Sequence, residues 1–179
     1  MRSLSFIVAL SLLAASCAAP APEPTPAPRQ PVVTIPVAPP PSAAPVQPKG
    51  DWIDWPITAG SWVYRQDARG SIALFGPAGQ NALLTLRCDK ARRALFLSRA
   101  SAKATGRLTL RTSASMKAFE ARNSGATPPY LAVELAANDA ILDAIAFSRG
   151  RFAVQTDGEL SVAIPAWAEI GRVVEDCRA

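Results

Sequence analysis

Between Ala18 and Gly50 the chain carries 12 prolines in 33 residues: Pro20, Pro22, Pro24, Pro26, Pro28, Pro31, Pro36, Pro39, Pro40, Pro41, Pro45 and Pro48. Each proline fixes φ and removes a backbone donor, so neither a helix nor a sheet ladder can run through this tract. Its only ionisable residues are Glu23, Arg29 and Lys49. Fully extended as polyproline, it would reach on the order of 100 Å at about 3.1 Å per residue. It reads as a stalk. The rival reading, a ligand for a proline-binding module, lacks aromatic or basic punctuation at fixed spacing. Any packed core must therefore come from Asp51 to Ala179, about 129 residues, enough for one domain.

The segment ahead of the tract has a different character. Arg2 precedes an apolar run, Leu4 to Leu13, too short to stay in a bilayer as a spanning helix. Small residues Ala14, Ala15 and Ser16 then lead to Cys17. This resembles the bacterial lipoprotein signal peptide, with Ala14 where Leu is commonest. The resemblance implies cleavage before Cys17 and acylation of that residue, which anchors a protein stably when two or more chains are attached. Ordinary secretion is the alternative, but cleavage after Ala19 would leave Pro20 at the new N-terminus. Ala18, not Asp, follows the cysteine, and the resemblance then implies the outer membrane, with the domain facing the periplasm. The expected organisation is a signal peptide over 1–16, a lipidated cysteine and disordered proline-rich tether over 17–50, and a single globular domain over 51–179.

That domain alternates short apolar strands with turn signals. Trp62–Gln66 and Ser71–Phe75 flank Asp67-Ala68-Arg69-Gly70, a hairpin pattern, and further strands are expected at 82–88, 94–99, 107–112, 116–122 and 130–135. Asp139 is placed to cap a short helix. Phe152–Gln155 and Leu160–Ile164 flank Asp157-Gly158, a strong hairpin signal. Pro165 suits the first turn of a terminal helix over 166–177. The expected fold is mainly β, an antiparallel sandwich or half-open barrel of about eight or nine short strands with one C-terminal helix.

Alternation along 82–88 puts Leu84, Leu86 and Cys88 on one face. Helical spacing puts Trp167, Ile170, Val174 and Cys177 on one stripe. With Cys17 taken by lipid, two cysteines remain, both pointing inward, in an exported and oxidising setting. A Cys88–Cys177 disulfide is the economical reading; two inert buried thiols are the alternative.

The chain contains no histidine, which removes Ser-His-Asp triads, Cys-His pairs, imidazole metal ligands and imidazole proton shuttles. Three cysteines cannot build a four-thiolate zinc site. The glycines lie singly at turns, without a phosphate-cradling pattern. No catalytic residue, cofactor or metal is expected.

Charge supplies the functional hint. From Arg87 to Arg122 lie ten basic residues (Arg87, Lys90, Arg92, Arg93, Arg99, Lys103, Arg107, Arg111, Lys117 and Arg122) against Asp89 and Glu120, a net of +8 where the whole chain carries +5. One reading is a basic face that meets an anionic envelope polymer, lipid headgroups or an acidic protein. The other is a solvated set of strand ends and turns protecting edges. Export disfavours nucleic acid as a partner. Trp52, Trp55, Trp62 and Tyr64 form a second cluster, able to stack on sugars, though aromatic residues of this kind more often pack in cores.

The run 145–155, then Leu160 to Pro165, then the helix to Cys177 resembles the ending of the invasion-associated locus B family. Those are small exported β-sandwich proteins of alphaproteobacteria with a strand–strand–helix finish. The likeness covers about 40 of 179 residues and implies fold and envelope location only. The sequence thus points to an envelope-anchored lipoprotein with a non-enzymatic binding or structural role. A cell-wall-directed hydrolase or enzyme inhibitor using a Trp-lined cleft is the alternative.

Overall fold

Alternation of apolar and polar residues at period two dictates a sheet with one buried face. A computed structural model describes residues 46–179. The signal segment, Cys17 and the tract up to Pro45 lie outside the described residues. The strands are β1 (Ser61–Asp67), β2 (Gly70–Gly76), β3 (Leu84–Asp89), β4 (Ala94–Ala100), β5 (Thr105–Arg111), β6 (Met116–Asn123), β7 (Tyr130–Ala136), β8 (Arg151–Thr156) and β9 (Val162–Pro165). Helix α1 (Ala140–Ala146) follows β7 and helix α2 (Ala168–Arg178) ends the chain. Asp139 caps α1 by accepting from the Ile141 amide at 3.1 Å.

The nine strands make one open antiparallel sheet in the order β1-β2-β3-β4-β7-β6-β5-β8-β9. The fold is mainly β, as the pattern requires. β6 and β7 share only two residue pairs, Arg122–Ala132 and Asn123–Leu131. This short seam joins two wings, whose inner faces bury their apolar residues in a single cluster. The sheet coils far enough for its two edge strands to touch: the Trp62 indole on β1 donates to the Pro165 carbonyl on β9 at 2.8 Å.

Inner positions follow the expected parity: Ala73 and Phe75, then Leu84, Leu86 and Cys88, then Leu95 and Leu97, then Leu131, Val133 and Leu135. Leu108, Leu110, Phe152, Val154, Val162 and Ile164 answer them from the other wing. Each fully buried Leu or Phe contributes about 2 kcal/mol by removal from water. Helix α2 closes this face with Ile170, Val173, Val174 and Cys177. At the β1–β2 turn Gly70 has φ +143°, and an added Cβ would sit 2.7 Å from the Cys88 carbonyl oxygen. Only glycine fits there.

Among the boundaries that differ from the sequence reading, those around β9 and α2 change which residues are buried. Pro165 ends β9, where an edge strand tolerates a residue without an amide donor. Trp167 therefore remains extended at ψ 167° ahead of α2, and it is 46% exposed instead of lying on the buried stripe. The turn after Asp157-Gly158 is longer than the dipeptide suggests, and β9 starts at Val162. The reason is local: Arg99 takes the Leu160 carbonyl and Gln47 takes the Ser161 amide, so neither enters the ladder.

Cys88 and Cys177 form a disulfide, with Cα atoms 5.4 Å apart across 89 residues of sequence. Closing a loop of that length removes denatured-state entropy equivalent to about 4–5 kcal/mol in the chain-entropy treatment. The double substitution Cys88→Ser with Cys177→Ser should lower the free energy of unfolding in urea by several kcal/mol. An unchanged urea midpoint would show that α2 docks equally well without the staple.

Candidate functional site

The parity that sends Ala73, Leu86 and Leu97 inward sends Ile72, Leu74, Thr85, Arg87, Phe96 and Ser98 outward. Helix α2 packs on the inner side, against β1 to β4 and against α1. Among the described residues no helix covers the outer side of β2, β3, β4 and β7. There the sheet forms a groove of about 700 Å³, within the size range of ordinary ligand sites. Ile72, Leu74, Phe96 and Tyr130 supply its apolar floor, and Arg69, Arg87, Arg92 and Arg122 stand around it, with Glu120 and Glu134.

The guanidinium groups are held in different ways. Arg87 donates to both oxygens of Asp67, at 3.1 and 2.8 Å. Arg92 donates to both oxygens of Glu134 at 2.8 Å, and its guanidinium carbon lies 4.9 Å from the Phe96 ring centre. Arg69 pairs with Asp89 at 3.0 Å. Arg122 has no ion-pair partner among the described residues. Such forked pairs fix orientation more than they stabilise, because exposed ion pairs are worth under about 1 kcal/mol. The hydrogen bond from Arg87 holds the Asp67 carboxyl below its usual range, and the one from Arg69 does the same for Asp89.

The basic residues of 87–122 do not share one face. Arg87 and Arg92 line the groove. Lys90 and Arg93 lie on the β3–β4 turn, Lys90 beside a separate small hollow with Gln66, Asp67 and Ser71. Lys103 donates to the Asp157 carbonyl. Arg107 pairs with Glu120 at 3.6 Å, and Arg111 reaches the Met116 sulfur at 3.2 Å.

Arg99 is a correction to any surface role. It points inward and is 3% exposed, because its position on β4 has the parity of Leu95 and Leu97. Its Nη2 donates to the Leu160 carbonyl at 2.7 Å, and its Nε and Nη1 have no partner among the described residues. Burial lowers its pKa, with Glu159 acting in the opposite direction. It ties β4 to the β8–β9 turn.

Trp52, Trp55 and Trp62 divide between two packing clusters. Trp55 is buried against Ala153 and Ala163, with Trp52 beside it, and its indole donates to the Gly50 carbonyl at 3.3 Å. Trp62 belongs to the main core, 5.3 Å from Phe75 by ring centres. Tyr64 donates to Asp176 at 2.6 Å, and the Arg172 guanidinium lies 4.2 Å from its ring centre. Among the described residues no tryptophan lines the groove, no trio of Cys, Asp or Glu could hold a metal ion, and no helix is long and apolar enough to cross a membrane.

The comparisons with protein-family models, curated proteins and solved structures found no match for this chain. The site therefore rests on its own geometry. Sequence reasoning counted Arg122 within the basic stretch 87–122 without singling it out, and it passed over Arg69, Phe96 and Tyr130 as site residues. The available signal was apolar residues at outward parity on β2 and β4, the strands flanking β3: Ile72, Leu74 and Phe96.

Asp67 and Asp89 keep their charge more firmly when folded than when unfolded. Their contribution is present above the unfolded-chain value near 3.8 and is lost as pH falls through the lower folded values. The difference in urea midpoint between the unsubstituted protein and Asp89→Asn should be widest at about pH 6. It should narrow steadily below about pH 4, and a difference that stays constant down to about pH 2 would contradict this account.

Proposed function

We propose that the protein is an envelope lipoprotein, anchored to the outer membrane through acylated Cys17, with a non-enzymatic binding role exercised through the outer groove. The observation that carries the binding role is the conjunction on one uncovered sheet face of an apolar floor with Arg69, Arg87, Arg92 and Arg122. Three of these guanidiniums already have carboxylate partners, so an anionic ligand would exchange with Asp67, Asp89 or Glu134, or meet Arg122 directly. Exchange of this kind favours a polyvalent anion over a single charge, which suits an anionic envelope polymer or an acidic protein segment. The proline tract ahead of Val46 supports a stalked placement. The likeness of 145–177 to the invasion-associated locus B family adds an envelope setting.

Poly-glutamate is a suitable probe. Its binding should weaken with salt and fall at least about tenfold in a variant carrying Arg92→Glu and Arg122→Glu, equivalent to about 1.4 kcal/mol. Binding indifferent to both salt and the two reversals would remove the groove from consideration. For the anchor, radioactive palmitate should label the protein in bacteria and fail to label Cys17→Ser; label persisting on the variant would sink the acylation claim.

A further inference from the structure

Among the described residues the most exposed aromatic lies away from the groove. Phe147 is 81% exposed just after α1, Met116 is 62% exposed at the start of β6, and Trp167 is 46% exposed ahead of α2. These residues come from three separate turns, and hydrogen bonds hold those turns together. The Ser113 amide donates to Ser148 Oγ at 3.0 Å and the Arg149 amide donates to Ser113 Oγ at 3.1 Å, which joins the β5–β6 turn to the turn after α1. The Ala166 amide donates to the Gly150 carbonyl at 3.2 Å, which brings in the segment carrying Trp167. On α2, Gly171 lies close enough to Ala146 that an added Cβ would be 3.9 Å from the alanine methyl.

Apolar side chains on turns cost solubility and contribute nothing to this core. Exposing Phe, Trp and Met on three turns that hydrogen bonds join therefore needs a reason. The surrounding charge is basic on balance. Arg149 is exposed with no ion-pair partner among the described residues, Arg111 holds the Met116 sulfur, and Lys117 is neutralised by Asp139. Glu169 is the one acidic group nearby in sequence to Trp167 that has no ion-pair partner among the described residues. Protruding aromatic tips flanked by arginine suit the headgroup layer of an anionic bilayer, where rings sit at the boundary and cations meet phosphate.

We infer that Phe147, Trp167 and Met116 form a membrane-contact patch that seats the domain on an anionic lipid surface. The patch does not depend on the groove. Its setting rests on the proposed anchor at one point: the 28 residues from Ala18 to Pro45 can span at most about 100 Å, enough for this side of the domain to reach the membrane that holds Cys17.

The test uses the chain from Ala18 to Ala179. It lacks Cys17 but keeps all the described residues, 46–179, with their core and disulfide. Co-sedimentation with vesicles of phosphatidylglycerol and phosphatidylcholine should capture the protein, and pure phosphatidylcholine should capture several-fold less. Phe147→Ser with Trp167→Ser should weaken binding to the mixed vesicles at least tenfold, whereas Trp167→Phe should retain most of it. Arg149→Glu should reduce binding to the mixed vesicles and leave the weak binding to pure phosphatidylcholine as it was. No capture by mixed vesicles, equal capture of the double-serine variant, or a dimer in solution that this variant abolishes would each overturn the inference. The last outcome would assign the patch to a second copy of the chain. Poly-glutamate binding should be normal in the double-serine variant, and vesicle binding should be normal in Arg92→Glu with Arg122→Glu. Failure of one reading is thus separable from failure of the other.

Discussion

Everything distinctive about this domain follows from the seating of α2 against the inner face of the sheet. Ile170, Val173 and Val174 bury themselves against β1 to β4, and Cys177 reaches Cys88 on β3. Tyr64 on β1 donates to Asp176, and Arg178 donates to both oxygens of Asp143 on α1, so the helix is held from two further sides. With both helices on the concave side, the convex side keeps its own side chains for other uses. An outer groove floored by Ile72, Leu74 and Phe96 is the result.

The second constraint is the buried guanidinium of Arg99. Removing a cation from water is costly unless hydrogen bonds replace hydration, and here the Leu160 carbonyl supplies one of them. That bond draws the β8–β9 turn over the end of β4. Glu159 in the same turn accepts from the Ser101 hydroxyl, and Gln47 bonds the turn at both Glu159 and Ser161. The turn thus serves as a junction for three separate parts of the chain, which explains why β9 is only four residues long.

Parity made most of the architecture readable in advance. Leu84, Leu86 and Cys88 fall on one face by counting alone, and the disulfide follows once the terminal helix is given its stripe. What counting could not supply was the assembly of distant segments. The start of α2 depended on whether Pro165 served the strand or the helix, and both uses satisfy proline locally. Arg99 looked like one basic residue among ten, because its burial depends on the β8–β9 turn some 61 residues later. The groove escaped notice because Arg69 on the β1–β2 turn, Arg122 on β6 and Tyr130 on β7 are brought side by side only by the order β2-β3-β4-β7-β6. Adjacency in a sheet is a property of topology, and local sequence carries little of it.

The disulfide also turns part of the chain into a covalent ring running from Cys88 to Cys177. Six of the nine strands, β4 to β9, and α1 lie inside that ring. A protease that clips an exposed turn there, for example at Asn123 to Thr127, opens the ring but releases no fragment. The proline tract lies outside it, so one cut ahead of Val46 separates the whole folded body from the N-terminal segment while the body stays intact. A nick inside the ring thus leaves the folded body in one piece, and a cut ahead of it frees that body whole.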